Sequence, residues 1–237
     1  FIEIDKSNKS FILNPLSFIL LMIRERISAI RAGLAPAVRL VCVSKYHPVE
    51  AIQEAYQAGE RDFAESRVQE LLQKQAVLPK DIRWHFIGHL QTNKVRAIVP
   101  FVHLIQSVDS VRLLETIEKE CARIGKTVGV LLEVHVAQEE SKSGFLPSEI
   151  APLLQTDLRK QYPHVRFRGI MGMATNTDDE AEIRRCFRQL AEVFKGHNGG
   201  ADWDTLSMGM SEDYEIAIAC GANMVRIGST IFGERQY

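Results

Sequence analysis

The sequence predicts a parallel (β/α)8 barrel of the TIM type in one undivided domain, and three observations carry that expectation. Short apolar segments alternate with helical patterns eight times along the 237 residues, the order that builds a parallel sheet flanked by helices. The fifth segment, 128–136, is too apolar to keep a wet face, and burial on both sides is what a parallel sheet requires. No Pro/Gly/Ser-rich linker or low-complexity run divides the chain. A doubly wound open sheet is the competing architecture, because periodicity alone does not show closure. Against it, the first βα turn (Ser44-Lys45-Tyr46-His47-Pro48) lacks the glycines of a dinucleotide fingerprint.

The elements follow in order. The chain opens on Phe1 rather than Met, as a fragment or an extended gene model would. The apolar stretch 11–23 holds Asn14 and Pro15 and is too short for a membrane span. No small-residue cleavage site follows it before Arg24-Glu25-Arg26. Ile19, Met22, Ile23, Ile27 and Ile30 share one face of an amphipathic helix, expected as the first helix of the domain. Residues 1–18 are assigned to an N-terminal extension with a disordered tail, and 19–237 to the barrel.

The first strand, 39–43, leads through Lys45 to Pro48, a residue suited to the first turn of a helix because its missing N–H costs nothing there. Val49, Ile52, Ala55 and Tyr56 continue at helical spacing, and Gly59 supplies a stop. A second strand at 61–64 precedes a helix that Ser66 would cap and that runs to about residue 75. A third, 83–87, is followed by Gly88 and a helix from about 90 to 98. The fourth, 102–107, leads to a helix capped by Asp109, with Val111, Leu114, Ile117, Cys121 and Ile124 inward and Gly125 at its end.

After the fifth strand Pro147 opens a helix. The sixth strand, 165–171, precedes a helix through Phe194 whose capping box is Thr177 with Glu180. The seventh, 203–208, is followed by a helix capped by Ser211 and ending at Gly221; the eighth is 223–227.

With 46% hydrophobic and 25% charged residues and a net charge of −1, the composition is that of a soluble globular protein. It provides no whole-protein field for nucleic acid or membrane, and neither is expected as a partner. Cys42, Cys121, Cys186 and Cys220 are scattered with no Cys-x-x-Cys. That fits a reducing compartment, taken as the cytoplasm, and argues against zinc or a disulfide frame.

In a barrel the active site sits where strands end. Lys45 lies at the end of the first strand. One reading is a solvated lysine; the other is a partly desolvated amine whose lowered pKa lets it form a Schiff base with a carbonyl. The loops after the seventh and eighth strands, where barrels commonly bind phosphate, carry Ser207, Gly228 and Ser229. Each serine alone also fits a cap or a turn. Together they offer a hydroxyl and backbone N–H groups to an anion, next to a helix expected to start at Ser211.

Arg226, two residues before Gly228, should point the same way while still in the strand. It either pairs with an interior carboxylate such as Glu65 or donates to the nitrogen of a bound pyridine ring. A ring nitrogen facing a group that cannot give up its proton stays unprotonated, and a neutral pyridine is a weak electron sink. His85 is read as a cofactor contact or as a satisfied core histidine, and Lys142 as a surface lysine or a guide for phosphate.

These residues fall within longer blocks: Val43-Ser44-Lys45, Phe63-Ala64-Glu65-Ser66-Arg67-Val68-Gln69-Glu70, Trp84-His85-Phe86-Ile87-Gly88-His89-Leu90-Gln91-Thr92-Asn93-Lys94, Ser141-Lys142-Ser143-Gly144, Arg168-Gly169, Leu206-Ser207-Met208-Gly209-Met210-Ser211 and Arg226-Ile227-Gly228. From about Ile27 to the C-terminus the chain resembles the pyridoxal phosphate homeostasis protein family, single-domain relatives of the alanine racemase N-terminal-domain barrel. It departs from the family's usual Gly-Glu-Asn at Ala64-Glu65-Ser66, and from its usual proline at His89.

The resemblance implies pyridoxal 5′-phosphate (PLP) as cofactor. Lys45 would be the Schiff-base lysine, with Arg226 facing the pyridine nitrogen. Ser207, Gly228 and Ser229 would hold the phosphate, and Ser66 would offer a weaker contact than the family's asparagine. The implied function is a carrier that holds PLP, limits its free aldehyde and supplies PLP-dependent apo-enzymes.

The alternative is a PLP-dependent amino-acid racemase, which needs an acid/base group on each face of its substrate. In alanine racemases the second group comes from an additional β-domain across a dimer interface. The sequence ends at Tyr237, just past the eighth strand, with no room for such a domain, so the expectation is a non-catalytic carrier; it is taken as a monomer. A phosphate-binding barrel aldolase using Lys45 is a third option, and the sequence places no acid/base partner for it.

Overall fold

The computed structural model describes residues 3–4, 11–12, 15–139, 143–155, 157–197 and 202–234. Two short strands, β1 (Glu3–Ile4) and β2 (Phe11–Ile12), pair antiparallel ahead of helix α1 (Pro15–Gly33). Helix α1 buries Ile23, Ile27 and Ile30, a stripe of the expected spacing.

Eight parallel strands then close into a barrel in the order β10-β3-β4-β5-β6-β7-β8-β9. They are β3 (Arg39–Val43), β4 (Asp62–Glu65), β5 (Arg83–Phe86), β6 (Leu104–Val108), β7 (Val128–Glu133), β8 (Val165–Met171), β9 (Thr205–Ser207) and β10 (Met224–Ile227). The (β/α)8 expectation holds, and the open sheet is excluded by the β10–β3 pairing, where Arg226 faces Val41 and Ile227 faces Cys42.

The helices between them are α2 (Val49–Gln57), α3 (Val68–Val77), α4 (Val95–Ile98), α5 (Val111–Ile124), α6 (Pro147–Gln155), α7 (Leu158–Gln161), α8 (Glu180–Gly196), α9 (Tyr214–Ala219) and α10 (Ser229–Phe232). Most of the apolar core lies between sheet and helices. A second, smaller cluster (Val41, Val43, Ala64, Leu104, Leu131, Met171, Met224) fills the inside of the barrel. Along β3, Leu40 and Cys42 belong to the outer layer and Val41 and Val43 to the inner one, the alternation of a strand with two buried faces.

Several helix starts differ from expectation. Ser66 does not cap α3, whose N-cap is Arg67. Ser110, not Asp109, accepts the Leu113 N–H at the start of α5. With that start, Leu113, Leu114, Ile117 and Cys121 form the buried stripe, while Val111 and Ile124 are exposed. Asp179, not Thr177, accepts from Ala181 N ahead of α8, and Glu180 pairs with Arg184 instead of closing a box. In place of one helix over 90–98, a 3₁₀ turn at Thr92–Lys94 precedes the short α4, as suits Thr and Asn, whose side chains favour turns over helix interiors. No helix among the described residues is long and apolar enough to cross a membrane.

Candidate functional site

The turn that carries Lys45 is held from below. The chain leaves β3 with one more ladder bond, Ser44 N to the Ala64 carbonyl (3.0 Å). Tyr46 adopts a left-handed φ of 67°, unusual for a non-glycine residue and tolerated where surroundings over-determine it. Those surroundings are a buried charge cluster. Lys74 Nζ donates to the Ser44 carbonyl (2.8 Å), Glu65 Oε1 (2.7 Å) and Glu70 Oε1 (2.6 Å). Ser44 Oγ donates to Glu65 Oε1 (2.7 Å), and Tyr46 N donates to Glu70 Oε1 (2.6 Å). Both neighbours of Lys45 are therefore tethered to α3 and β4. Burial, with Oε2 left without a hydrogen-bond partner among the described residues, pushes the Glu65 carboxyl up to about 7 against the pull of Lys74.

Lys45 is half-buried and lines a cavity of about 620 Å³ at the C-terminal mouth of the barrel, together with Arg226, Ser211, Gly228 and Ser229. After β10 the chain turns at Gly228 into α10. The Ser211 hydroxyl accepts from Gly228 N (3.2 Å) and Thr230 N (3.4 Å), closing the turn against the loop after β9. A Cβ on Gly228 would stand 3.1 Å from the Val43 carbonyl, pressing on the end of the lysine strand. Gly209, at φ 92°, lets its carbonyl reach Arg226 N (3.0 Å); a Cβ there would meet Ala217 Cβ at 2.6 Å.

Arg226 is 3% exposed. Its guanidinium donates to Ser207 Oγ (2.8 Å) and the Gly172 carbonyl (3.1 Å). Among the described residues none of its hydrogen bonds goes to a carboxylate, and Glu65, the interior partner considered above, pairs with Lys74. Burial lowers the Arg226 pKa to about 10, opposed by the nearby charges of Asp213 and Glu133. The group keeps its proton at neutral pH and has N–H groups, of its five, beyond these two bonds. Glu133, at the end of β7, is pushed up to about 7 by burial and by Asp109, with Arg226 pulling the other way.

The candidate residues thus separate by depth. Lys45, Arg226, Gly228 and Ser229 line the cavity. Ser207 is fully buried beneath it, its hydroxyl between Gln106 and Arg226. His85 is fully buried between Asp62 and Gln106. Ser66 is half-buried and outside the lining, and Lys142 falls outside the described residues. Ser211, expected only as a helix cap, is the hydroxyl that touches the glycine turn, while α9 starts at Tyr214. Its one sequence signal is its place at the end of the block after the seventh strand.

The donor set suits a phosphorylated pyridine aldehyde. It combines an amine, a buried arginine that lines the cavity and donates to Ser207 and Gly172, and a glycine turn with a hydroxyl. Among the described residues no group of three His, Cys, Asp or Glu could hold a metal ion.

The family model described as "Alanine racemase, N-terminal domain" matches residues 20–236. The chain is 40% identical over 210 residues to a pyridoxal phosphate homeostasis protein of Pasteurella multocida, covering 85% of this chain and 88% of that one. It is 41% identical over 216 residues to one of Pseudomonas aeruginosa, covering 90% and 92%. Among solved structures it is similar to PipY of Synechococcus elongatus at 38% identity, covering 89% of this chain and all of PipY. The TM-score is 0.82 to PipY without PLP and 0.79 to PipY with PLP bound.

Proposed function

Since this chain belongs to the pyridoxal phosphate homeostasis protein family, on the alanine racemase N-terminal-domain fold, we propose that it binds PLP, holds it covalently through Lys45 and supplies it to apo-enzymes. The observation that carries this reading is the meeting of Lys45, Arg226 and the Gly228–Ser229 turn around one cavity, on the paired strands β3 and β10. The similar PipY, with PLP bound, supports the choice of ligand.

When bound, the cofactor supplies an aldehyde that condenses with an amine and a ring that withdraws electrons. Lys45 offers the amine from a turn braced on both sides. Ser229 N and the Ser211 hydroxyl would hold the phosphate, at the turn that Gly228 makes. Arg226, which donates and keeps its proton, leaves a ring nitrogen unprotonated and the electron sink weak. That favours holding over amino-acid turnover. The unpaired cysteines fit a cytoplasmic setting, and the carrier is taken to act as a monomer.

The test is covalent trapping. Protein incubated with PLP should show visible absorption that borohydride bleaches, and peptide mapping should place the reduced label on the Lys45 peptide. Label spread over surface lysines, or none, would sink the assignment.

A further inference from the structure

Below the cavity, the inside of the barrel carries polar side chains outside the cavity lining. Asp62, His85, Gln106 and Ser207 are all buried, at most 5% exposed, and they come from four different strands. Arg226 Nη1 donates to Ser207 Oγ (2.8 Å), and Ser207 Oγ donates to Gln106 Oε1 (2.7 Å). Gln106 Nε2 lies 2.9 Å from His85 Nδ1, and His85 Nε2 lies 3.1 Å from Asp62 Oδ1. Arg83 closes the row with two bonds to Asp62, at 2.7 and 2.6 Å.

Only the two ends have a polarity of their own. A guanidinium can only donate, and an ionised carboxylate can only accept. Against the penalty of burial, Arg83 and His85 hold the Asp62 carboxyl well below the usual range. Between the ends, a hydroxyl, an amide and an imidazole could each be oriented either way. The ends decide for all three. Ser207 must accept from Arg226, so its single proton goes to Gln106 Oε1. Gln106 then presents N–H to His85 Nδ1, which must be bare, and the ring proton sits on Nε2 toward Asp62. Every donor meets an acceptor.

A doubly protonated His85 would set an Nδ1–H against the Gln106 amide N–H. Flipping the amide would relieve that clash but remove the acceptor of the Ser207 proton. Burial lowers the His85 pKa, opposed by Asp62 and reinforced by Arg39 and Arg83. The His103 ring, 5.7 Å away, is the other titratable neighbour.

We propose that Asp62, His85, Gln106 and Ser207 form a hydrogen-bond relay of one direction that positions the Arg226 guanidinium toward the cavity, its direction set by the two ends and reported by the His85 tautomer. They are positioning residues, acting through Arg226. That the positioned group serves a bound pyridine ring rests on the function proposed above; the relay does not.

Two measurements test it on the full chain. The first is side-chain ¹⁵N NMR of the histidines in the ligand-free protein at pH 7, with His85 assigned by its loss in His85→Gln. The neutral Nε2–H form is expected; an Nδ1–H or charged ring would overturn the relay. The second compares Gln106→Met with Gln106→Glu. Methionine keeps the volume and breaks the relay at Gln106, so PLP should bind about tenfold more weakly, the net worth of about one hydrogen bond, with a shifted visible absorption. Glutamate keeps the acceptor for Ser207 and charges His85, so affinity and absorption should stay within about twofold of the native protein.

A role in packing alone predicts the reverse order, because a further buried carboxylate is harder to accommodate than methionine. Native-like binding by Gln106→Met would also overturn the relay. Should the native protein take up no PLP, the proposed function fails, and the His85 tautomer alone decides the relay. The same measurement decides it if the variants do not fold.

Discussion

The ammonium of Lys74 lies 2.7 Å from Glu65 Oε1, both side chains buried beneath the turn that carries Lys45. Its other two bonds, to the Ser44 carbonyl and Glu70, complete the donors an ammonium has. Lys74→Met would leave a buried carboxylate and a carbonyl uncompensated, which typically costs ~3–5 kcal/mol. Urea unfolding at pH 8 should show that loss, and at pH 6 a smaller one, because Glu65 can then take up a proton. Equal losses at both pH values would show that Glu65 is not the group left behind.

Glu133 predicts a pH dependence with a definite sign. Its pKa rises from 4.5 to about 7 on folding, through burial first and Asp109 second. Between those values the folded chain holds a proton that the unfolded chain has released. The stabilisation is therefore complete below pH 4.5 and is lost as pH rises through 7. Glutamine binds no proton, so Glu133→Gln should gain stability relative to the native chain across this window, by on the order of 2–3 kcal/mol. Denaturation at pH 5, 6, 7 and 8 checks it; parallel curves would refute it.

Arg226→Glu replaces a donor by an acceptor at the position facing the cavity. With PLP bound, a ring nitrogen beside a carboxylate becomes protonated, and the visible absorption should shift while affinity falls. An unchanged spectrum and affinity in a folded variant would show that Arg226 does not face the ring.

The carrier and racemase readings separate on proton exchange. A racemase needs an acid/base group on each face of its substrate, each worth ~10²–10⁴-fold in rate, and on the proposed function Arg226 would leave the ring nitrogen unprotonated and the electron sink weak. Holo-protein with L-alanine in deuterated water should therefore show no appreciable α-deuterium by NMR. Rapid exchange with D-alanine appearing, and lost in Lys45→Ala, would favour the racemase.

The barrel was legible because each strand is a local apolar run between turn residues: 39–43 and 165–171 coincide with β3 and β8. Helix starts were less legible. Asp109 stands next to Ser110, and Thr177 two residues before Asp179, so several side chains compete for one cap and tertiary docking chooses. Lys45 and Arg226 stood out through their places at strand ends and in long blocks. Ser211 did not, since its partner Gly228 lies on another loop. Lys74, on a helix of mixed polarity, gives no hint in sequence that it is buried. Asp62, His85 and Gln106 share an interior only once barrel register decides which side of each strand faces in.

The pairing of β10 with β3 also sets when the site can exist. Lys45 is made well before Arg226 and Gly228, so a growing chain has no place for the cofactor until β10 docks on β3. Such end-to-end contacts form slowly because a long loop must close first. Uptake of the vitamin-derived ligand then doubles as an optical clock for ring closure. A refolding chain should gain helical circular dichroism before it gains colour, and a chain truncated ahead of Met224 should never gain it.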